Sequence, residues 1–372
     1  MQVRRLTSLD ELIPLRHQWN DLAGGVPFRS WAWVESWWRA YGETHQHSSR
    51  QRELCVLMVR DTSGRLVGLA PWYLERSRSR GAVIRFLGSG EVCSDYLSML
   101  CVPGLEDPLA QALTAWLWYG DSADDNLDWD LIDFGPIHEH DTVTNRLAQQ
   151  IQLHGATVHQ RPSVNCWRLA LPNSWEEYLA RLSKSHRKQI RQLERRYFDS
   201  GVATLRVAQS PAQLEEGLAI FRHLHQKRRR ALGERGCFES QCFSSFIDRV
   251  SPQLLAAGSL RLAWVEIDGR PAAIEYQLLG SDTVFAYQAG VDPAALEHEP
   301  GRLITIATLK QAIAEGRKAM DLLRGDEPYK AHWRAEPNAT SELRIVATSG
   351  SAQLRHRAWL AGVSVKRLVR GA

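Results

Sequence analysis

The sequence predicts a mixed α/β fold in two similar halves, and three observations carry that expectation. The length, 372 residues, is about twice that of an ordinary domain, so each half can bury a core of its own. Two stretches, residues 54–75 and 260–280, align as strand, glycine turn and strand, and each turn ends in Gly-Arg (Gly64-Arg65, Gly269-Arg270). Beyond each hairpin the same landmarks return in order: a strand ending at glycine (Gly90, Gly290), a Pro-Gly pair (Pro103-Gly104, Pro300-Gly301), a helical segment and a short strand (130–135, 321–325). A repeated unit sets the architecture before any motif does, although strand, turn and helix in this order suit any α/β chain.

The elements follow in chain order. Trp31, Trp33, Trp37 and Trp38 cluster in one amphipathic stretch, where they suit core packing or a sugar-stacking platform. VNCWRLALP (164–172) reads as the strand that opens the second half, which sets the boundary near residue 160. Ser174 and Glu177 form a capping box. It starts a helix expected to run to about Tyr197, burying Trp175, Tyr178, Leu179, Leu182, Ile190, Leu193 and Tyr197 as one stripe. Ser210-Pro-Ala-Gln213 opens the next helix, and Asp268-Gly269 is a hairpin signal. Gly301 begins a helix with Leu303, Ile306, Ala307, Leu309 and Ile313 for packing, and 319–323 reads as a strand.

Composition narrows the class. Hydrophobic residues are 44%, charged residues 24% and the formal charge +4, values of a globular chain whose basic surface must be local. No apolar run reaches the roughly 18 residues of a membrane span, and MQVRRLTSLDEL lacks the apolar core of a secretion signal. The expected location is the cytoplasm. The six cysteines contain no C-x-x-C pair, and His138-Glu-His140 has no third ligand in view, so no metal is expected. Leu87-Gly-Ser-Gly90 lacks the rest of a dinucleotide fingerprint.

Chemistry concentrates in the second half. Lys184, Arg187, Lys188, Arg191 and Arg195 recur at helical spacing as a basic ridge, which suits phosphates or an anionic polymer as readily as a solvated face. Nucleic acid is not favoured, because no nucleic-acid module accompanies the ridge. Gly301-Arg302 is a plausible diphosphate seat, since glycine at a helix start lets phosphate approach free amides and the dipole favours negative charge. Pro-Gly turns before helices also have purely structural causes. Downstream, Arg324-Gly-Asp-Glu-Pro-Tyr-Lys-Ala-His-Trp333 packs charged, aromatic and proton-transferring groups into one loop.

Together SWEEYLARLSKSHRKQIRQLERR, AYQAGVDP, GRLITIATLKQAI and DLLRGDEPYKAHWR resemble the CelD/BcsL-like branch of the GNAT acyltransferases, relatives of the tandem-GNAT FemAB transferases. The resemblance extends to SWAWVESWWRAYG and LGSGEVCSDYLSML in the first half. It implies two tandem GNAT-like domains, each a bent mixed β-sheet flanked by helices: a degenerate one on the acceptor side (1–160) and an acyltransferase domain (161–372). It further implies acetyl-CoA or another acyl-CoA as donor and a small-molecule or saccharide acceptor, often an envelope or exopolysaccharide precursor. A splayed strand bearing Tyr287, Gln288, Ala289 and Gly290 would lie along the pantetheine. Gly301, Arg302 and Leu303 would meet the diphosphate, with Arg324 also on the donor. In the first half Pro103-Gly104 is followed by Glu106 and Asp107, whose acids repel phosphate.

Acyl transfer needs a base for the acceptor proton and a group that stabilises the oxyanion and protonates the thiolate. Glu275 is the first candidate base, with a structural pairing to Arg270 or Arg302 as its alternative role. Asp326 and Glu327 compete with it, Tyr329 is the candidate acid, and Lys330 matches a lysine of FemAB-like proteins that steadies phosphate or oxyanion charge. Asp95 and Tyr96 resemble the family's acceptor-lining segment; Lys184, Arg187, Arg191 and Trp333 complete the expected acceptor contacts. Two other functions stay open: a FemAB-like aminoacyl or peptidyl transferase using charged tRNA, and a non-catalytic module binding an anionic polymer.

Overall fold

The computed structural model describes residues 1–42, 51–120 and 127–370, with side chains as far as residue 361. The chain begins with β1 (Gln2–Leu6), α1 (Leu9–Leu12), α2 (Arg16–Leu22), α3 (Trp31–Trp37), β2 (Gln51–Arg60), β3 (Leu66–Ser77), β4 (Gly81–Phe86), β5 (Leu100–Cys101), α4 (Glu106–Tyr119), β6 (Leu131–His138), α5 (Thr142–Leu153) and β7 (Thr157–Pro162). It continues with β8 (Cys166–Ala170), α6 (Trp175–Arg181), α7 (Lys184–Leu193), β9 (Ala203–Val207), α8 (Pro211–Ala231), α9 (Gln241–Ala256), β10 (Leu260–Ile267), β11 (Arg270–Leu279), β12 (Thr283–Val291), α10 (Pro300–Ala314), β13 (Ala319–Arg324), α11 (Tyr329–His332) and β14 (Glu336–Asn338). It closes with β15 (Thr340–Val346) and α12 (Gly350–Arg370).

Two mixed sheets result. The first runs β1-β2-β3-β4-β6-β15-β7, with β5 beside β3; the second runs β14-β8-β13-β12-β11-β10-β9. Each has one parallel junction at the corresponding place, β4 with β6 and β12 with β13. The hairpin landmarks fall where the aligned sequence puts them. Asp268 and Gly269 have φ of 50° and 74° and join β10 to β11, the left-handed pair a tight hairpin turn requires.

Two expectations need correction. The units are Met1–Ser163 with residues from Ala339 onward, and Val164–Asn338, so the second does not run on to residue 372. The cause is β15, which pairs with β6 on one edge and β7 on the other, burying Leu343, Ile345 and Val346 in the first sheet. In the second sheet β8 takes that position, between β13 and β14. The single helix expected from Ser174 to about Tyr197 is also broken. Ser174 does accept the Glu177 amide at 3.2 Å, but Leu182 turns extended and Ser183 starts a new helix by accepting the His186 amide at 3.3 Å. Serine competes with the helical backbone for that amide.

In the second unit α6, α7 and α10 cover one face of the sheet, where Tyr178, Ile190, Leu193, Leu303, Ile306 and Leu309 pack on Ala263, Val265 and Ala273. On the other face Phe221 of α8 lies against Tyr276 at 5.7 Å, and Ser251 of α9 meets the Tyr276 hydroxyl at 2.9 Å. Trp33 and Trp37 are core residues of the first unit, and the Trp33 indole donates to Ser94 at 2.8 Å.

Candidate active site

The site is built where β12 leaves β13. Their parallel pairing covers only Thr283↔Ala319, Val284↔Met320 and Phe285↔Asp321. Past Phe285, β12 keeps to β11 as far as Val291, while β13 follows β8 and turns through Leu323, whose φ is 56°. A register shift between Tyr276 and Gln277 places Tyr287 as an extra residue on β12, and such a bulge re-aims the strand beyond it.

At the far end of β12 stands the tip of α10. Pro300 occupies its first turn, no side chain caps it, and Glu299 enters with φ 52°. Proline brings no N–H, and the Gly301 amide has no partner among the described residues. A Cβ built on Gly301 would meet nothing nearer than Val291 Cγ2 at 3.8 Å, so no side chain beyond its chain neighbours crowds this residue. A free amide at a helix start is an anion site in waiting. Arg302 lies alongside, donating to Glu299 at 2.5 Å and to Gln189 at 3.0 Å. The other end of α10 is closed: the Gly316 and Arg317 amides donate to Ile313 and Ala312, with Gly316 at φ 73°.

The first unit lacks this opening. The Gly104 amide donates to Glu106 Oε1 at 3.1 Å, and α4 starts with Glu106 and Asp107. Its parallel strands pair only at Val83↔Leu131 and Ile84↔Ile132. Two residues further on, Phe86 and Phe134 stack with centroids 4.0 Å apart, both buried.

Glu275 is 9% exposed and lies on the α10 face. Its Oε2 accepts from Thr308 at 3.0 Å and from Gln277 at 2.7 Å; no donor among the described residues reaches its other oxygen. Gln277 in turn accepts from Arg261 at 3.2 Å, and Arg261 pairs with Glu315. Burial raises the Glu275 carboxyl above the ordinary carboxylate value, opposed by the Thr308 and Gln277 hydrogen bonds and the Arg261 charge. Its cross-strand partner Ala289 shares its face and is exposed, so that face opens to solvent beside the carboxylate. The alternative pairings of Glu275 with Arg270 or Arg302 are not made.

The loop after β13 holds the competing groups. Asp326 is exposed and accepts from the Asn165 amide and the Trp167 indole, each at 3.0 Å, which lowers its pKa. A carboxylate so stabilised is a weak base. Lys330 departs from the expected role: it is 2% exposed, and its ammonium donates to the carbonyls of Leu323, Arg324 and Gly325 at 3.0, 2.9 and 2.9 Å and pairs with Glu327 at 2.9 Å. All three of its N–H bonds are committed to holding the end of β13, and Arg324 enters this clamp through its backbone. Tyr329 is 53% exposed; desolvation, then the charges of Glu327 and Glu275, push its phenol up to about 12. Tyr329 therefore stays a protonated phenol with a hydrogen bond to donate.

Other expected contacts separate. Ala289, Gly301 and Glu275 share one face. Gly290 lies on the opposite one, where its missing side chain admits α8, since a Cβ there would sit 2.7 Å from the His225 amide. Gln288 hydrogen-bonds His225 on that face, and Tyr287 packs on Tyr276 at 5.8 Å. Leu303 and Trp333 are core residues. Asp95 is buried in the first unit, and the neighbouring Tyr96 has φ 61°, with its carbonyl accepting from Arg29 at 2.5 Å. On α7, Arg191 pairs with Glu176 at 2.7 Å, whereas Lys184, Arg187 and Lys188 have no ionic partner among the described residues.

Sequence reasoning missed His186, His332, Thr308 and Gln277. Ser183, His186, Arg302, Tyr329 and His332 line a cavity of about 630 Å³. Desolvation, then the Arg302 charge, lower the His186 pKa below that of a free imidazole. His186 hides inside a charge run and Thr308 inside an apolar helix; neither stands out without the sheet behind it. No three His, Cys, Asp or Glu residues among the described ones form a metal-holding group, and none of the described helices is long and apolar enough to cross a membrane.

The model of an acetyltransferase (GNAT) domain matches residues 184–331, from the start of α7 into α11. The second unit therefore carries a GNAT-type acyltransferase domain. Among solved structures, FemX is similar over 95% of this chain and 99% of its own at a TM-score of 0.65 and 11% identity. A conserved protein of unknown function from Bacteroides thetaiotaomicron VPI-5482 is similar over 90% and 97%, at 0.55 and 10%. The C-terminal domain of a putative lysylphosphatidylglycerol synthetase from Agrobacterium fabrum is similar over 93% and 96%, at 0.51 and 10%. At such identities the likeness shows a shared fold. A comparison with curated protein sequences finds no match.

Proposed function

We propose that the chain transfers an acyl group, acetyl in the simplest case, from coenzyme A to an amine or hydroxyl of a saccharide or an envelope or exopolysaccharide precursor, as the CelD/BcsL-like resemblance implies. One observation carries the donor half of this reading: the unpartnered Gly301 amide at the uncapped tip of α10 stands beside a strand that has parted from its neighbour after Phe285. A long thin thioester needs both, an anion seat for its diphosphate and a strand edge along which its amides can bond. The matched domain covers both elements.

In this reading Arg302 and the Gly301 amide hold the diphosphate, and the edge of β12 orients the pantetheine. Glu275 takes the acceptor proton as the nucleophile adds to the thioester carbonyl; the C–S bond then breaks and the thiolate leaves. Thr308 and Gln277 fix the carboxylate and leave one oxygen for that proton. Tyr329 supplies a hydrogen bond to developing negative charge. The first unit, with Gly104 already bonded to Glu106, adds no donor chemistry and serves the acceptor, with Asp95 and Tyr96 as its candidate contacts. Calorimetric titration with acetyl-CoA tests the donor: saturable binding is expected, and absence of heat or thermal shift at millimolar ligand refutes it.

A second reading, FemAB-like transfer from charged tRNA, draws on Lys184, Arg187 and Lys188 of α7, which have no ionic partner among the described residues. It requires binding that needs tRNA rather than CoA and falls steeply with salt.

A further inference from the structure

The first unit contains a charged cavity that acyl transfer does not use. Across one face of its sheet, Arg85 of β4, Asp133 of β6, Arg344 of β15 and His159 of β7 stand in neighbouring strands, with Arg344 directly opposite Asp133 and His159 in register. Arg80 and Arg85 donate to the same Asp133 oxygen, at 2.5 and 2.9 Å. Arg161 donates to Glu342 through Nε at 2.7 Å. These groups line a cavity of about 310 Å³, with Trp359 of α12 at its side.

The charges do not cancel. Four guanidinium groups line the cavity with two carboxylates, which are taken by Arg80, Arg85 and Arg161; the nearby Glu75 is shared between Arg85 and Arg52 and does not reach Arg344. Arg344 is left with no hydrogen bond or ion pair among the described residues; its guanidinium rests on the Trp359 ring at 4.3 Å, and its Nε is buried without an acceptor. The Arg85 Nε is buried and makes no hydrogen bond, its nearest acid being Glu75 at 4.0 Å. A buried donor left unpaired is costly, and a guanidinium held among three others is costlier still. Burial and the repulsion of Arg80, Arg85 and Arg161 act together on Arg344, with Asp133 the opposing charge. A strictly structural sheet face gains nothing from leaving Arg344 without an acid, whereas an oxyanion entering the cavity gives its guanidinium an acceptor and offsets the excess charge.

We infer that this cavity of the first unit is a binding site for a phosphate dianion, free or carried by a small organic molecule, with Arg344 as its principal ligand. Phosphate offers several acceptors in the geometry a guanidinium fork matches. The volume suits a small phosphorylated molecule and not a polymer segment. The site shares no residue with the donor seat at Gly301, so the two readings stand or fall separately.

The test is thermal unfolding and calorimetry of the full chain with three probes, inorganic phosphate, sulfate and glucose 6-phosphate, on the native protein and on Arg344→Met. Native protein should bind phosphate and be stabilised by it, and R344M should bind it about 10- to 100-fold more weakly, the loss of one charge-assisted hydrogen-bonding group. In phosphate-free buffer R344M should melt no lower than native protein, because it removes an unsatisfied charge. Tighter binding of glucose 6-phosphate than of inorganic phosphate assigns the site to a phosphorylated molecule; equal binding assigns it to the free ion. Acetyl-CoA affinity unchanged in R344M separates this site from the donor seat. A phosphate response identical in both proteins, or an R344M that unfolds earlier with its phosphate response intact, overturns the inference and leaves Arg344 a structural role.

Discussion

Replacing Gly301 with aspartate separates the donor seat from the stability of the helix that forms it, because the two respond in opposite directions. Gly301 is helical, and a Cβ there meets only Val291 Cγ2 at 3.8 Å, so a side chain fits without strain. Removing a glycine from a helix contributes about 0.5–1 kcal/mol, and an acid in the first turn adds about 0.3–1 kcal/mol through the dipole and the free amide. Together, about 0.8–2 kcal/mol, these raise the melting temperature by roughly 2–8 °C for a unit of this size. The carboxylate also reproduces what Glu106 does in the first unit, where it accepts the Gly104 amide. It stands within about 6 Å of any diphosphate at the tip, and each like-charge pair at that distance costs roughly 0.7–3 kcal/mol between the water and near-surface dielectric limits. G301D should therefore bind acetyl-CoA at least tenfold more weakly by calorimetry, with the defect shrinking as salt rises. A stabilised variant that binds within twofold of the native protein refutes the reasoning.

Four further outcomes follow from the same geometry. Glu275→Gln should lower kcat by roughly 10²–10⁴ with little change in acetyl-CoA affinity; an unaltered rate, measured by thiol release, removes Glu275 from the chemistry. Its carboxyl is raised in the folded state from 4.5, so the fold binds that proton more tightly than the unfolded chain does. The associated stability is present at low pH and lost as pH rises through the folded value, and in denaturant titrations E275Q should gain on the native protein above about pH 4.5. Asp326→Asn should change kcat less than a few-fold and leave the acid limb of the pH–rate profile in place, because Asn165 and Trp167 already hold this carboxylate ionised. Lys330→Met should lower stability by about 2–4 kcal/mol, since three carbonyls and Glu327 lose their donor; unchanged unfolding would show that the clamp is not needed.

The sequence made the local elements and their repetition legible, and left unread what depends on distant partners. Hairpins at 54–75 and 260–280 are visible because glycine turns and apolar alternation are local signals. The return of β15 to the first sheet is not, because Thr340–Val346 reads as a strand without saying which edges will take it. The break at Ser183 was available as a second capping serine, yet the apolar stripe continues across it at helical spacing and concealed it. Glu275 could be singled out as an acid in an apolar strand, but the reason it has one free oxygen lies in Thr308, 33 residues away on α10. Lys330 shows the converse: a lysine in a polar loop reads as a mobile charge, and only the carbonyls at the end of β13 reveal a fixed one.

A crystal structure of the protein with coenzyme A bound tests the donor seat most directly. A diphosphate oxygen should lie within hydrogen-bond distance of the Gly301 nitrogen, Arg302 should have exchanged Glu299 for phosphate, and the pantetheine should run along β12 past Phe285 on the face that exposes Ala289. Coenzyme A lodged elsewhere, with the tip of α10 untouched and Arg302 still on Glu299, would contradict the account.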